Sequence, residues 1–129
     1  MCNIYNLQRF VDAQESCYNQ VLTELKDGRK RSHWIWFIFP QQKGLGRSYN
    51  SEFYGLDGVD EARMYLEHPV LGARLRECCY SIYEHVGKKN IEDIMGSKID
   101  VRKLKTSMKL FDTVSPNDIF AEILKSFWV

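Results

Sequence analysis

Ser32-His33-Trp34-Ile35-Trp36-Phe37-Ile38-Phe39-Pro40-Gln41 is the stretch on whose reading the fold turns. Its aromatic and β-branched side chains favour a strand taken alone. A buried strand needs a partner, and no other segment offers one, because every other long apolar pattern repeats at the helical period. The stretch therefore reads as helix. Ser32 stands where an N-cap is wanted, and Pro40 forces Phe39 out of the helical region. That leaves about two turns, His33 to Ile38.

Upstream, Leu7, Phe10, Val11, Cys17, Tyr18, Val21, Leu22 and Leu25 fall mostly at helical spacings behind Asn6, a candidate N-cap. The stripe weakens at Gln14-Glu15-Ser16, which predicts a kink or two helices with Ser16 capping the second. Gly28 ends the segment. Downstream, Gln41 to Asn50 is a loop, Ser51 to Tyr54 a short turn, and from Gly58 the residues Val59, Ala62, Met64, Tyr65 and Leu66 predict a helix that stops at His68. Pro69 suits the first position of the next helix, whose stripe Leu71, Leu75, Cys78, Cys79, Ile82 and Val86 is the cleanest in the chain. Asn90 caps a short helix stopped by Gly96, Asp100 caps one bearing Val101, Leu104, Met108 and Phe111, and Ser115-Pro116 opens the last. The expectation is a compact, single-domain, all-α arrangement, residues 1–129, of about seven helices.

With 129 residues, 44% of them hydrophobic, there is ample material for a core. The 18 basic and 17 acidic residues nearly cancel, which argues against a nucleic-acid partner despite the cluster Arg29-Lys30-Arg31. Cys2, Cys17, Cys78 and Cys79 lack metal or redox spacing and read as reduced thiols. No leader and no apolar run of membrane-spanning length is found. The reading is a soluble, cytoplasmic protein that keeps away from membranes.

Several residues in and around the central stretch have chemistry to offer. His33 is an acid/base or hydrogen-bonding group, while Ser32 beside it reads as a cap, since neighbours on a helix diverge and cannot serve each other as nucleophile and base. No ligand-type spacing joins His33, His68, His85 and Cys17, so no metal is expected. Gly44-Leu45-Gly46-Arg47-Ser48 offers backbone amides, a guanidinium and a hydroxyl, but lacks a phosphate-loop pattern and names no cofactor; a tight turn is the plainer reading. Trp34 and Trp36, two positions apart, point to different sides of a helix, so one of them is expected to wall a cleft where a planar ligand stacks.

The motif Ser-His-Trp-x-Trp-Phe-x-Phe-Pro-Gln, with Asn6-Leu7-Gln8-Arg9-Phe10-Val11-Asp12-Ala13-Gln14, Gly44-Leu45-Gly46-Arg47-Ser48, His68-Pro69-Val70-Leu71-Gly72 and Ser107-Met108-x-Leu110-Phe111, resembles domain-of-unknown-function family 1810 over essentially the whole chain. The resemblance implies a small, mainly helical bacterial protein and carries no activity with it. Related chains often have Asp-Pro where Glu15-Ser16 stands here, in keeping with a helix break. They also tend to run on past the last helix, so a site that such a tail covers would be more open in a chain stopping at Trp128-Val129.

Two classes of function fit. One is a small-molecule or nucleotide-like ligand site, with or without catalysis, in which His33 is the acid/base or hydrogen-bonding group and Trp34 or Trp36 the stacking wall. Gln41, Arg47 and Ser48 would orient the ligand, with His68 and Lys109 as secondary candidates. The other is a helical protein-interaction module without chemistry. A site requires His33, Gln41 and Arg47 or Ser48 to converge on one concavity, whereas a module spends them on the backbone and exposes an apolar patch elsewhere.

Overall fold

A computed structural model describes residues 5–128; Cys2 and Val129 lie outside the described residues. These form nine helices and no strand: α1 Gln8–Glu15, α2 Tyr18–Asp27, α3 Ile35–Ile38, α4 Tyr49–Phe53, α5 Gly58–Glu67, α6 Leu71–Tyr83, α7 Ile91–Met95, α8 Lys98–Val114 and α9 Ile119–Phe127. The count exceeds seven because the chain breaks fully at Ser16-Cys17 and because the expected turn near residue 51 is a five-residue helix, α4.

The 17-residue α8, about 25 Å long at the usual rise per residue, is the spine. It packs against α5, α7, α9 and α3, while α6 bridges α2, α5 and α9. The buried apolar residues form one cluster. A line of rings runs through it: Phe10 meets Tyr65 edge-on at 5.0 Å, Tyr65 meets Phe111 at 5.6 Å, and Phe111 meets Phe120 at 5.6 Å. Such contacts tie α1, α5, α8 and α9 through their largest side chains.

The helix reading of the central stretch holds, but α3 is a single turn that begins at Ile35 rather than His33. Ser32 does not cap it; the hydroxyl is committed to Glu24. Four other caps differ from expectation. Asn6 and Ser16 cap nothing, the side chain of Ser97 rather than Asp100 caps α8, and Asp118 rather than Ser115 caps α9. For α8 and α9 the capping residue, nearer the helix start, holds the extended backbone an N-cap needs; α1 and α2 follow Leu7 and Cys17 with no side-chain cap. Pro69 lies in the turn before α6, where His68 Nδ1 accepts the N–H groups of Val70 at 3.1 Å and Leu71 at 3.3 Å.

Candidate functional site

The geometry around the central stretch begins with Glu24, a buried acid on α2. Its Oε1 accepts the backbone N–H groups of Arg31 at 2.8 Å and Ser32 at 3.0 Å and the indole N–H of Trp34 at 2.9 Å. Its Oε2 accepts the Ser32 hydroxyl at 2.6 Å and the Gln20 amide at 3.1 Å. Burial opposes ionisation, but the hydrogen bonds from Ser32, Arg31 and Trp34 outweigh it and hold the carboxyl at about 2. The carboxylate thus pins residues 31–34, buries Trp34 and delivers Ile35 to the start of α3. Lys30 closes the arrangement from the other side. Its ammonium donates to the Ser32 carbonyl at 2.6 Å, pairs with Asp100 at 2.8 Å and lies 4.9 Å above the Trp34 ring.

With these residues fixed, a groove runs between α3, the loop 41–48 and the N-terminal half of α8. It comprises a hollow of ≈380 Å³ bordered by His33, Trp36, Ile99 and Lys103, a second of ≈270 Å³ bordered by Gln41, Leu45, Ile99 and Lys103, and a slit that shares Trp36 with the first and Gln41 with the second. The slit, lined by Trp36, Phe39, Gln41, Tyr54 and Lys103, has only ≈10 Å³, room for about one water. Lys103 borders all three parts.

Trp36 is half-buried, with the Lys103 ammonium 5.0 Å above its ring. Its indole N–H is buried without a hydrogen-bond partner among the described residues. Gln41 is held on both sides. Its backbone carbonyl accepts the Leu56 N–H at 2.9 Å, and its carboxamide oxygen accepts the Thr106 hydroxyl. With that oxygen engaged, the carboxamide N–H groups are the part of the side chain left to donate.

The other candidates from the sequence lie as follows. His33 is exposed on the rim of the larger hollow. Trp34 is buried and spent on Glu24, so Trp36 is the tryptophan that walls the groove. Ser48 caps α4 by accepting the Ser51 N–H at 3.1 Å, and Arg47 is exposed in the loop; neither lines the groove. His68 caps α6, and Lys109 is exposed on α8 beyond Thr106. Gly46 serves packing: a Cβ there would lie 2.5 Å from the Ser51 hydroxyl. Thus His33, Trp36 and Gln41 share the groove, and Arg47, Ser48, His68 and Lys109 stand apart from it.

Residues that the sequence did not mark as site candidates complete the site. Arg102, Lys103 and Thr106 come from α8, and Glu24 supports the whole from behind. A signal for α8 was present, since Ile99, Lys103 and Thr106 recur at helical spacing away from the apolar stripe. Glu24, an acid beside Val21 and Leu25 on an apolar face, was the comparable clue on α2. Among the described residues no group of three or more His, Cys, Asp or Glu is placed to hold a metal ion. Burial pushes the Cys78 thiol up to about 12 and that of Cys79 well above its usual range, so both are protonated packing groups. No described helix is long and apolar enough to cross a membrane.

Comparison with known proteins adds the following. The family model described as a protein of unknown function (DUF1810) matches residues 4–129. The solved structure of a conserved hypothetical protein from Mycobacterium tuberculosis is 42% identical and superposes with a TM-score of 0.91, covering 98% of this chain and 89% of that one. No curated protein matches.

Proposed function

The chain belongs to the DUF1810 family, and on that premise we propose that the groove between α3 and α8 binds a small molecule with a planar, polar portion. The observation that carries the reading is that Trp36, Gln41 and Lys103 meet in one groove with an aromatic ring, amide donors and an ammonium that no carboxylate among the described residues holds. The larger hollow falls within the range of small-molecule sites. His33 is the imidazole on its rim and the first candidate should proton transfer be involved.

A thermal-shift screen of nucleotides, nicotinamide derivatives and sugar phosphates tests this. A ligand at a hundred times its dissociation constant stabilises the fold by about 2.7 kcal/mol. Hits lost in folded Gln41→Ala and Trp36→Leu variants support the groove. A broad screen whose hits ignore both variants refutes it.

A second reading, an interaction module, draws on the exposed side chains beside the groove. Tyr49 stacks on Phe53 at 5.6 Å, both exposed, and Leu45 and Ile99, which border the smaller hollow, are exposed as well. A partner bound there would be lost in Tyr49→Ser, a change that leaves small-molecule hits intact.

A further inference from the structure

We infer that the groove's ligand is a planar ring carrying an anionic group, phosphate or carboxylate, with the ring on the Trp36 indole and the charge met by Lys103 and Arg102. The inference rests on the groove being a ligand site and names the class of molecule it takes. Four lysine and arginine side chains border the groove, Lys30, Arg31, Arg102 and Lys103, against one carboxylate, Asp100. That carboxylate is consumed by Lys30 at 2.8 Å, and Arg31 is paired with Asp27 at 3.2 Å. Among the described residues no carboxylate lies within ion-pair distance of Arg102 or Lys103.

The Lys103 ammonium rests instead over the Trp36 ring at 5.0 Å. A cation–π contact of this kind is a modest attraction that a better partner displaces. A neutral ring settling on the indole would evict the ammonium and give it nothing in return. A bare anion would leave the indole face unused and compete poorly with water for flexible, hydrated cations. A ring that bears its own anion does both at once. It takes the indole face, and the displaced ammonium swings on its four-carbon stem to the negative group. Arg102, one residue away and bordering the smaller hollow, adds a second cation. Gln41 borders the slit and the smaller hollow, where its donors meet a polar group reaching past the indole rather than the stacked ring itself, because the slit admits about one water.

The test is a titration of the 129-residue chain followed by indole fluorescence, using adenosine monophosphate and nicotinate as charged probes. Adenosine and nicotinamide are their neutral counterparts, and inorganic phosphate is the anion without a ring. The expected result is saturable binding of a charged probe, about tenfold or more tighter than its neutral counterpart and weakened by salt. Which charged probe wins distinguishes phosphate from carboxylate. The preference should vanish in Lys103→Met and persist in Lys103→Arg, with circular dichroism confirming that both variants are folded. Equal binding of the neutral counterparts overturns the anionic class while leaving the groove a ligand site. Failure of every probe also overturns it, and the Gln41-dependence of any thermal-shift hit then decides separately whether the groove binds other molecules. Binding that appears only with a single-stranded oligonucleotide, and not with the mononucleotide, overturns it in favour of a polymer.

Discussion

The carboxylate of Glu24 accepts the indole N–H of Trp34 at 2.9 Å, across the junction of α2 with the segment that leads into α3. Four further donors, the Arg31 and Ser32 N–H groups, the Ser32 hydroxyl and the Gln20 amide, converge on the same two oxygens. Removing the acid takes the acceptor from all of them, and strands the Trp34 indole N–H in a buried place. Glu24→Ala is therefore expected to lower unfolding free energy by about 3 kcal/mol, the scale for losing charged hydrogen bonds and stranding their partners. Urea denaturation measures it as a fall in midpoint at unchanged slope. A loss below about 0.5 kcal/mol, the scale of an ordinary surface substitution, would mean that Glu24 does not hold the junction.

The same carboxylate sets an acid limit. Its value falls from an ordinary 4.5 to about 2 in the folded chain, so the unfolded chain binds the proton first as pH drops. Its contribution is complete above pH 4.5 and is lost as pH falls towards 2. Asp118 acts in the same direction. Burial works against its charge, but Arg76 at 2.9 Å, the Ile119 N–H and the Ser115 hydroxyl hold it below the usual carboxylate range. Melting temperature followed across this window should fall in the wild type and fall less steeply in Glu24→Gln. Parallel curves would contradict the assignment.

Gln14 is buried on α1 and satisfies an orphan carbonyl of the single-turn α3. Its amide donates to the Phe37 carbonyl at 2.7 Å and to the Tyr65 hydroxyl at 3.2 Å, while its oxygen accepts Arg74 at 3.3 Å. Gln14→Leu keeps the bulk and strands these groups. A loss of about 2 kcal/mol in urea unfolding is expected, and a neutral substitution would show that water replaces the amide.

Gly72, in the first turn of α6, lets that helix lie against the end of α5. A Cβ at this position would fall 2.1 Å from the Leu66 carbonyl oxygen, which is backbone and cannot swing aside. Gly72→Ala should cost about 1–3 kcal/mol through overpacking despite the better helix propensity of alanine. Measured stabilisation would mean that the α5–α6 corner relaxes freely.

The all-α architecture was legible in the sequence because the stripes of α2, α6, α8 and α9 repeat at the helical period, and because the central stretch found no strand partner. Its start was not legible. Ser32 has the chemistry of a cap, and only the fold brings Glu24, eight positions earlier, close enough to claim its hydroxyl. The same separation explains the site. Trp36 and Gln41 lie within the conspicuous motif, whereas Lys103 and Thr106, about 65 positions further on, reach them only when α8 packs beside α3. Arg47 and Ser48 were conspicuous for their glycine neighbours, yet the loop spends Ser48 on capping α4. Local patterning reveals which face of a helix is apolar; it does not reveal which polar residues of distant helices share a groove.

The most direct measurement of the central claim is the nitrogen–proton spectrum of the indole groups of Trp34, Trp36 and Trp128, assigned by single tryptophan-to-phenylalanine variants and followed as a thermal-shift hit is added. The account requires the Trp36 resonance and the Gln41 side-chain amide pair to move together and saturate, while Trp34, locked to Glu24, stays nearly still. A hit that saturates without moving Trp36 or Gln41 would place the ligand elsewhere and contradict the groove as the functional site.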